Sequence, residues 1–109
     1  MEPKPSILNA IKVFEEFRKL DPEMQMQTAL IFLLIANNER CSISDLEKWT
    51  GLTSASCSRN VAALSEIHRK GRPGHNLIFA RVNSDDRRQR NLYLTVKGRT
   101  ILGQIMEWF

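Results

Sequence analysis

Apolar residues recur at helical spacing from the start of the chain. Ile7, Leu8, Ile11, Phe14 and Phe17 fall on one face, which predicts a helix from Ser6, as N-cap, to about Leu20. Asp21-Pro22 reads as a stop and a restart, with Asp as N-cap and Pro in the first helical position. The helix it opens runs to about Ala36 and closes at Asn37-Asn38. Its second half, Ala29 to Ala36, is apolar nearly all round, which places it at the centre of the fold. Cys41-Ser42-Ile43 can form one extended rung. Ser44 and Glu47 have the spacing of a capping box, opening a helix that ends near Gly51. Thr53 caps the next helix, expected to reach about Lys70. Two helices joined by the short turn Gly51-Leu52-Thr53 make a helix-turn-helix.

Beyond Gly71-Arg72-Pro73-Gly74 the period changes. Leu77 to Val82 reads as a strand, Asn83 to Asp86 as a turn, and Asn91 to Leu94 as the returning strand, with Leu92 and Leu94 on one face. Thr95 caps a last helix to Phe109. The expected architecture is mainly α with a small β-hairpin wing, a winged helix-turn-helix. Residues 1–5 are expected to be a flexible arm and 6–109 a single domain, with the helix-turn-helix at 44–70, the wing at 77–94 and terminal helices at 6–20 and 95–109.

Composition narrows the function classes. With 109 residues the chain has room for one core. Aromatic residues are 7%, too few for a large stacking surface for single-stranded nucleic acid. The net charge of +4 says little until its distribution is read. From Arg69 to Arg99 there are nine Lys/Arg against two Asp/Glu, while the rest of the chain has seven against ten. A positive field confined to one segment points to a polyanion. Cys41 and Cys57 have neither metal-ligand spacing nor the number for a disulfide framework, which implies a reducing, cytoplasmic setting. The N-terminus lacks the pattern of a signal peptide, and the longest apolar run falls far short of the roughly 20 residues needed to span a bilayer. No nucleophile-base-acid set, glycine-rich phosphate loop or metal-ligand cluster is present, so neither an enzyme nor a cofactor is expected. His68 and His75 are assigned to phosphate or solvent rather than metal.

The helix that starts at Ser54 carries Cys57, Val61 and Leu64 on one stripe, expected to face the core. Cys57 is therefore read as a packing residue rather than a redox sensor. The opposite face holds Ala55, Ser56, Arg59, Ala62 and Ala63. Short side chains with one arginine suit close approach to a major groove. In the hairpin, Arg87, Arg88 and Arg90 lie within four residues at the tip, where arginine can enter a narrow minor groove. Asp85 or Asp86 would hold one of them by a charge-assisted hydrogen bond. Trp49 is left open between a core role and a phosphate-side contact. In the last helix Ile101, Ile105 and Trp108 form one apolar stripe and Leu102, Met106 and Phe109 another. The two terminal helices either pack on their own domain or pair across a two-fold axis.

The stretch Asp86-Arg-Arg-Gln-Arg-Asn-Leu-Tyr-Leu-Thr-Val-Lys-Gly98 resembles the wing of the MarR family along its full length. Leu46-Glu-Lys-Trp-Thr-Gly-Leu-Thr53, followed by Ser58-Arg59, resembles that family's helix-turn-helix. The resemblance, over about residues 25 to 103, is to a short member of the family. It implies a regulator of transcription, of repressor type, that binds pseudo-palindromic double-stranded DNA as a homodimer. Ser54, Ser56, Ser58 and Arg59 would then face the DNA, with Asp86 a structural acid and Arg88 the groove-inserting residue. The expected DNA contacts are Thr53, Ser54, Ser56, Ser58, Arg59, Arg72, Arg87, Arg88 and Arg90, without metal or membrane. Glu47 departs from the family's small residue, and the loop from Gly71 to Asn76 is longer and more basic than usual. Family members continue past the position of Phe109 into long helices that build their dimer, so the terminal helices are the expected interface here. A bacterial or phage-encoded, nucleoid-associated protein is implied. Two further readings stay open: a plasmid or phage accessory protein of replication or recombination, and a winged-helix module for protein–protein contact.

Overall fold

The computed structural model describes residues 5–66 and 73–109. Its element order is α1 (Pro5–Leu20), α2 (Met26–Asn37), α3 (Ile43–Thr50), α4 (Ser54–Leu64), β1 (Ile78–Val82), β2 (Arg90–Leu94) and α5 (Val96–Met106). The two strands form one antiparallel hairpin, in a register that pairs Ile78 with Leu94 and Val82 with Arg90. This is a winged helix-turn-helix, 55 Å along its longest axis.

The apolar run of α2 is the centre of the core. Ile31, Phe32 and Ile35 are fully buried, and each contributes roughly 2–3 kcal/mol of transfer free energy. Phe17 of α1 meets Phe32 edge to face at 6.0 Å. Leu46 of α3, Cys57 and Leu64 of α4, Leu77, Ile78, Leu92 and Ile105 close the same cluster. Leu30, by contrast, is 44% exposed, so α2 is apolar on a face that this chain alone does not cover.

Several boundaries differ from the periodicity, each for a local reason. Pro5 is already helical, and Ser6 lies inside α1 rather than capping it. Asp21-Pro22 makes a turn of its own: Asp21 Oδ1 accepts from the Glu23 amide and its carbonyl from the Met24 amide. The helix restarts only at Met26, and its N-cap Gln25 makes no side-chain capping bond. The capping box of α3 is Ser42 with Asp45, not Ser44 with Glu47. Ser42 Oγ accepts from the Asp45 amide at 3.2 Å, and Asp45 Oδ2 accepts from the Ser42 amide at 2.9 Å. The chain can turn that early because Arg40 and Cys41 are held by β2: the Arg40 amide donates to Leu92 O and the Leu92 amide to Cys41 O. These two bonds stand where an extended rung over Cys41 to Ile43 was expected, but Ile43 is already the first residue of α3 and no strand forms there.

The largest difference is at the end of α4. The helix stops at Leu64 instead of continuing toward Lys70, and Ser65 is extended. Four carbonyls that a longer helix would use internally accept amides from the returning chain: Ala63 from His75, Leu64 from Leu77, Ser65 from Asn76 and Glu66 from Gly74. The approach is close. A Cβ on Gly74 would sit 1.9 Å from the Ser65 carbonyl oxygen, so a glycine is required there. The last helix ends at Met106, short of Phe109. Among the described residues no helix is long and apolar enough to cross a membrane.

Candidate nucleic-acid interface

The turn between α3 and α4 is built from three local devices. Gly51 takes φ 73°, the left-handed conformation that closes α3. The Thr50 hydroxyl donates to Leu46 O at 2.7 Å and accepts from the Leu52 amide at 3.1 Å. Thr53 then caps α4 by accepting from the Ser56 amide at 3.1 Å. These bonds fix where α4 begins, and packing selects the face it turns toward the core. Cys57, Val61 and Leu64 are buried as expected, and Asn60 is buried with them. Thr53, Ser54, Ala55, Ser58 and Arg59 are exposed, while Ser56 is half-buried. Among the described residues Arg59 has no acidic partner, so its full charge faces solvent.

Asn60 is absent from the sequence-derived set. Its Oδ1 accepts from the Thr28 hydroxyl at 2.6 Å, and its Nδ2 donates to Ser56 O at 2.9 Å. The helical spacing from Cys57 and Val61 placed it on the core face, but its partner lies 32 residues away.

The wing is ordered by short polar side chains. Asn83 Oδ1 accepts from the amides of Asp85 at 2.8 Å and Asp86 at 3.3 Å. Asp86 Oδ1 accepts from the Arg88 amide at 3.0 Å and lies 3.5 Å from Arg88 Nε. Asp86 therefore braces the loop at the position of Arg88, whose side chain is 94% exposed. Arg87 and Arg90 are also exposed and have no acidic partner among the described residues. Arg72 and His68 lie outside the described residues.

The outer face of the hairpin carries a group not anticipated from the sequence. Phe79 and Tyr93 stack at 5.3 Å, and the Arg81 guanidinium lies over both rings. The signal was present in the alternation of Phe79 and Arg81 along β1, but their cross-strand partner depends on register. Trp49 is 46% exposed on α3, which removes it from the core. Cys57 is fully buried, 3.9 Å from Thr50 Oγ1. Burial, with the Asp45 charge nearby, pushes the Cys41 thiol from 9.0 up to about 11. Among the described residues no three of His, Cys, Asp and Glu gather as a metal site requires.

No protein-family model matches the sequence, and no curated protein matches it. Solved structures do. A MarR transcriptional regulator from Methanosarcina mazei Go1 superposes with a TM-score of 0.70 at 12% identity, over 90% of this chain and 63% of that one. A complex of S. aureus MepR with DNA gives 0.74 at 17% identity, over 92% and 74%. Streptococcus pneumoniae FabT, also in complex with DNA, gives 0.68 at 24% identity, over 94% and 68%. The chain thus spans less than two thirds of the Methanosarcina mazei regulator, and these neighbours are a transcriptional regulator and two DNA complexes, not enzymes. Placed beside the helix-turn-helix and the braced wing, these superpositions identify the fold: the chain has the winged-helix architecture of the MarR-type transcriptional regulators.

Proposed function

We propose that this protein binds double-stranded DNA in a sequence-specific manner and regulates transcription, as a repressor. In this reading α4 enters the major groove through Ser54, Ser58 and Arg59. The wing lies in the minor groove with Arg88 at its tip, while Arg87 and Arg90 contact phosphates. The observation that carries the reading is the pairing, on one small scaffold, of an outward α4 face bearing Arg59 with a braced arginine loop. Charges left without acidic partners keep their attraction for phosphate. The two neighbours solved with DNA support the same reading. A cytoplasmic, bacterial or phage-encoded protein without catalytic activity fits it.

A homodimer belongs to the proposal. Ile7, Leu8, Ile11 and Phe14 of α1, with Met106 and Phe109 at the other end of the chain, are large, apolar and exposed. Phe14 and Phe109 also line a groove of about 350 Å³, together with Val13 and Trp108. An apolar face of this extent is a contact surface, and a two-fold pair would match a palindromic site.

Selection of bound duplexes from a random pool, with the mass of the protein in solution, tests both parts. One recovered sequence with two-fold symmetry, bound at 10³-fold or roughly greater preference over random DNA, is expected. Equal binding to random and selected duplexes at physiological salt would refute the regulator. A monomer at micromolar concentration would refute the dimer. Retention of a protein partner together with absence of any DNA binding would favour the protein–protein module.

A further inference from the structure

Thr28 and Asn60 are each 6% exposed, and they meet across the α2–α4 interface. They are the polar members of a contact whose remaining buried residues are apolar: Ile31, Phe32 and Ile35 against Cys57, Val61 and Leu64. Apolar packing is non-directional. It selects which face of α4 turns inward, Cys57, Val61 and Leu64, but carries no directional bond that would pin the last degrees of roll. The Thr28–Asn60 bond is different. At 2.6 Å between a hydroxyl and an amide oxygen, it is short and directional. The other end of the same amide donates to Ser56 O, so the side chain cannot turn without losing a second bond.

From these observations we infer that Thr28 and Asn60 form a positioning pair that sets the roll of α4, and through it the aim of Arg59. The inference rests on the DNA-binding reading of α4. Arg59 is exposed about 100° around the helix from the buried Asn60, and α4 turns as one body, so any roll at the buried face reappears at the exposed one. An arginine tip stands about 8 Å from a helix axis, and a roll of about 20° moves it by about 3 Å, a full hydrogen-bond length. A contact to a base edge does not survive that displacement, whereas attraction to phosphate does. The pair therefore acts on sequence discrimination more than on total affinity.

Replacing both polar groups by apolar ones of similar shape leaves no buried group unpaired and keeps the fold. The test uses the full chain carrying Thr28→Val and Asn60→Leu together, and measures affinity for the selected duplex and for a scrambled one across a salt series. The expected result is an unchanged melting temperature within a few degrees, an unchanged salt slope, and a ratio of specific to non-specific affinity reduced about tenfold or more. Thr28→Ser in the otherwise unchanged chain, which keeps the hydroxyl opposite Asn60, should leave the ratio unchanged. A folded double variant that keeps its ratio overturns the inference. So does an equal loss on both duplexes, which is what a merely structural role would produce. Should the double variant not fold, Thr28→Val alone gives the same reading by the same ratio. A wild-type protein without sequence preference would instead defeat the DNA-binding reading, a failure visible before any variant is made.

Discussion

The amide of Leu77 donates to the carbonyl of Leu64 at 2.7 Å, so the residue that leads into the wing is bonded to the last residue of α4. The Leu77 carbonyl in turn accepts from the Thr95 amide at 3.0 Å, which brings in the start of α5. The Thr95 hydroxyl donates to Asn76 O, and Lys97 Nζ donates to His75 O. Helix, wing and last helix therefore share one short segment of backbone. The elements that carry the proposed DNA contacts are held to each other by main-chain bonds, not by side chains alone.

Gly98 is the point where that junction is tightest. A Cβ there would stand 2.1 Å from the Leu77 carbonyl oxygen, a contact that backbone cannot yield without moving the wing. Gly98→Ala is expected to cost about 3 kcal/mol or more and to lower the melting temperature by roughly 10 °C or more. Gly103 is the control: it lies in the same helix with nothing within 4 Å of its would-be Cβ. Gly103→Ala should raise stability by about 0.5–1 kcal/mol. Thermal unfolding of the two variants checks both signs.

The capping box of α3 lies at Ser42 and not at Ser44, where the sequence spacing had put it. Ser42→Ala removes the acceptor of the Asp45 amide and should cost about 1 kcal/mol. Ser44→Ala, inside the helix and exposed, should be neutral or slightly stabilising. Denaturant titration of the pair decides it, and a reversed order would mean that the cap lies at Ser44.

Two substitutions in the wing test its role against simple electrostatics. Arg88→Ala should weaken duplex binding roughly tenfold and reduce the salt slope by about one. Asp86→Ala removes a negative charge, so attraction to phosphate alone would tighten binding. Because Asp86 also holds the Arg88 amide, a weakening of roughly threefold or more is expected instead. Tighter binding by this variant would show that the brace is dispensable.

The Cys41 thiol should be unreactive toward alkylating reagents at pH 8 in the folded protein, since burial pushes its pKa up to about 11. The same shift has a stability consequence. The unfolded thiol releases its proton near 9.0 and the folded one near 11, so the folded state holds more protons between those values. Stability from this group is complete below pH 9 and falls as the pH rises through 11, by on the order of 1 kcal/mol per pH unit. Cys41→Ala should flatten that part of the profile, measured by urea titration from pH 8 to 10.5.

Much of the fold was legible along the chain because its signals are local. Thr53 and Thr95 cap their helices through bonds that reach three residues ahead, and Gly51 takes the left-handed turn that only glycine enters freely. The stripe of Cys57, Val61 and Leu64 faces the core because helical spacing alone puts those residues together. The Asp86 brace spans two residues, and the wing signature around it was visible for the same reason.

What the sequence by itself determined about this protein is therefore its order of helices and hairpin, the caps at Thr53 and Thr95, its core stripes and the charged tip of its wing. These follow from periodicity and from hydrogen bonds closed within a few residues. Only the tertiary structure decided where α4 stops, which serine caps α3, and that Asn60 has a partner. The end of α4 depends on a chain that returns some ten residues later, the α3 cap on pairing of Arg40 and Cys41 with Leu92, and Asn60 on Thr28 in another helix. The aromatic shelf under Arg81 likewise waits on strand register, and the exposure of Ile11 and Phe14 on the way α1 lies against the rest. Each is a contact between segments remote in sequence, and local preference carries no information about which remote partner the fold will bring within bonding distance.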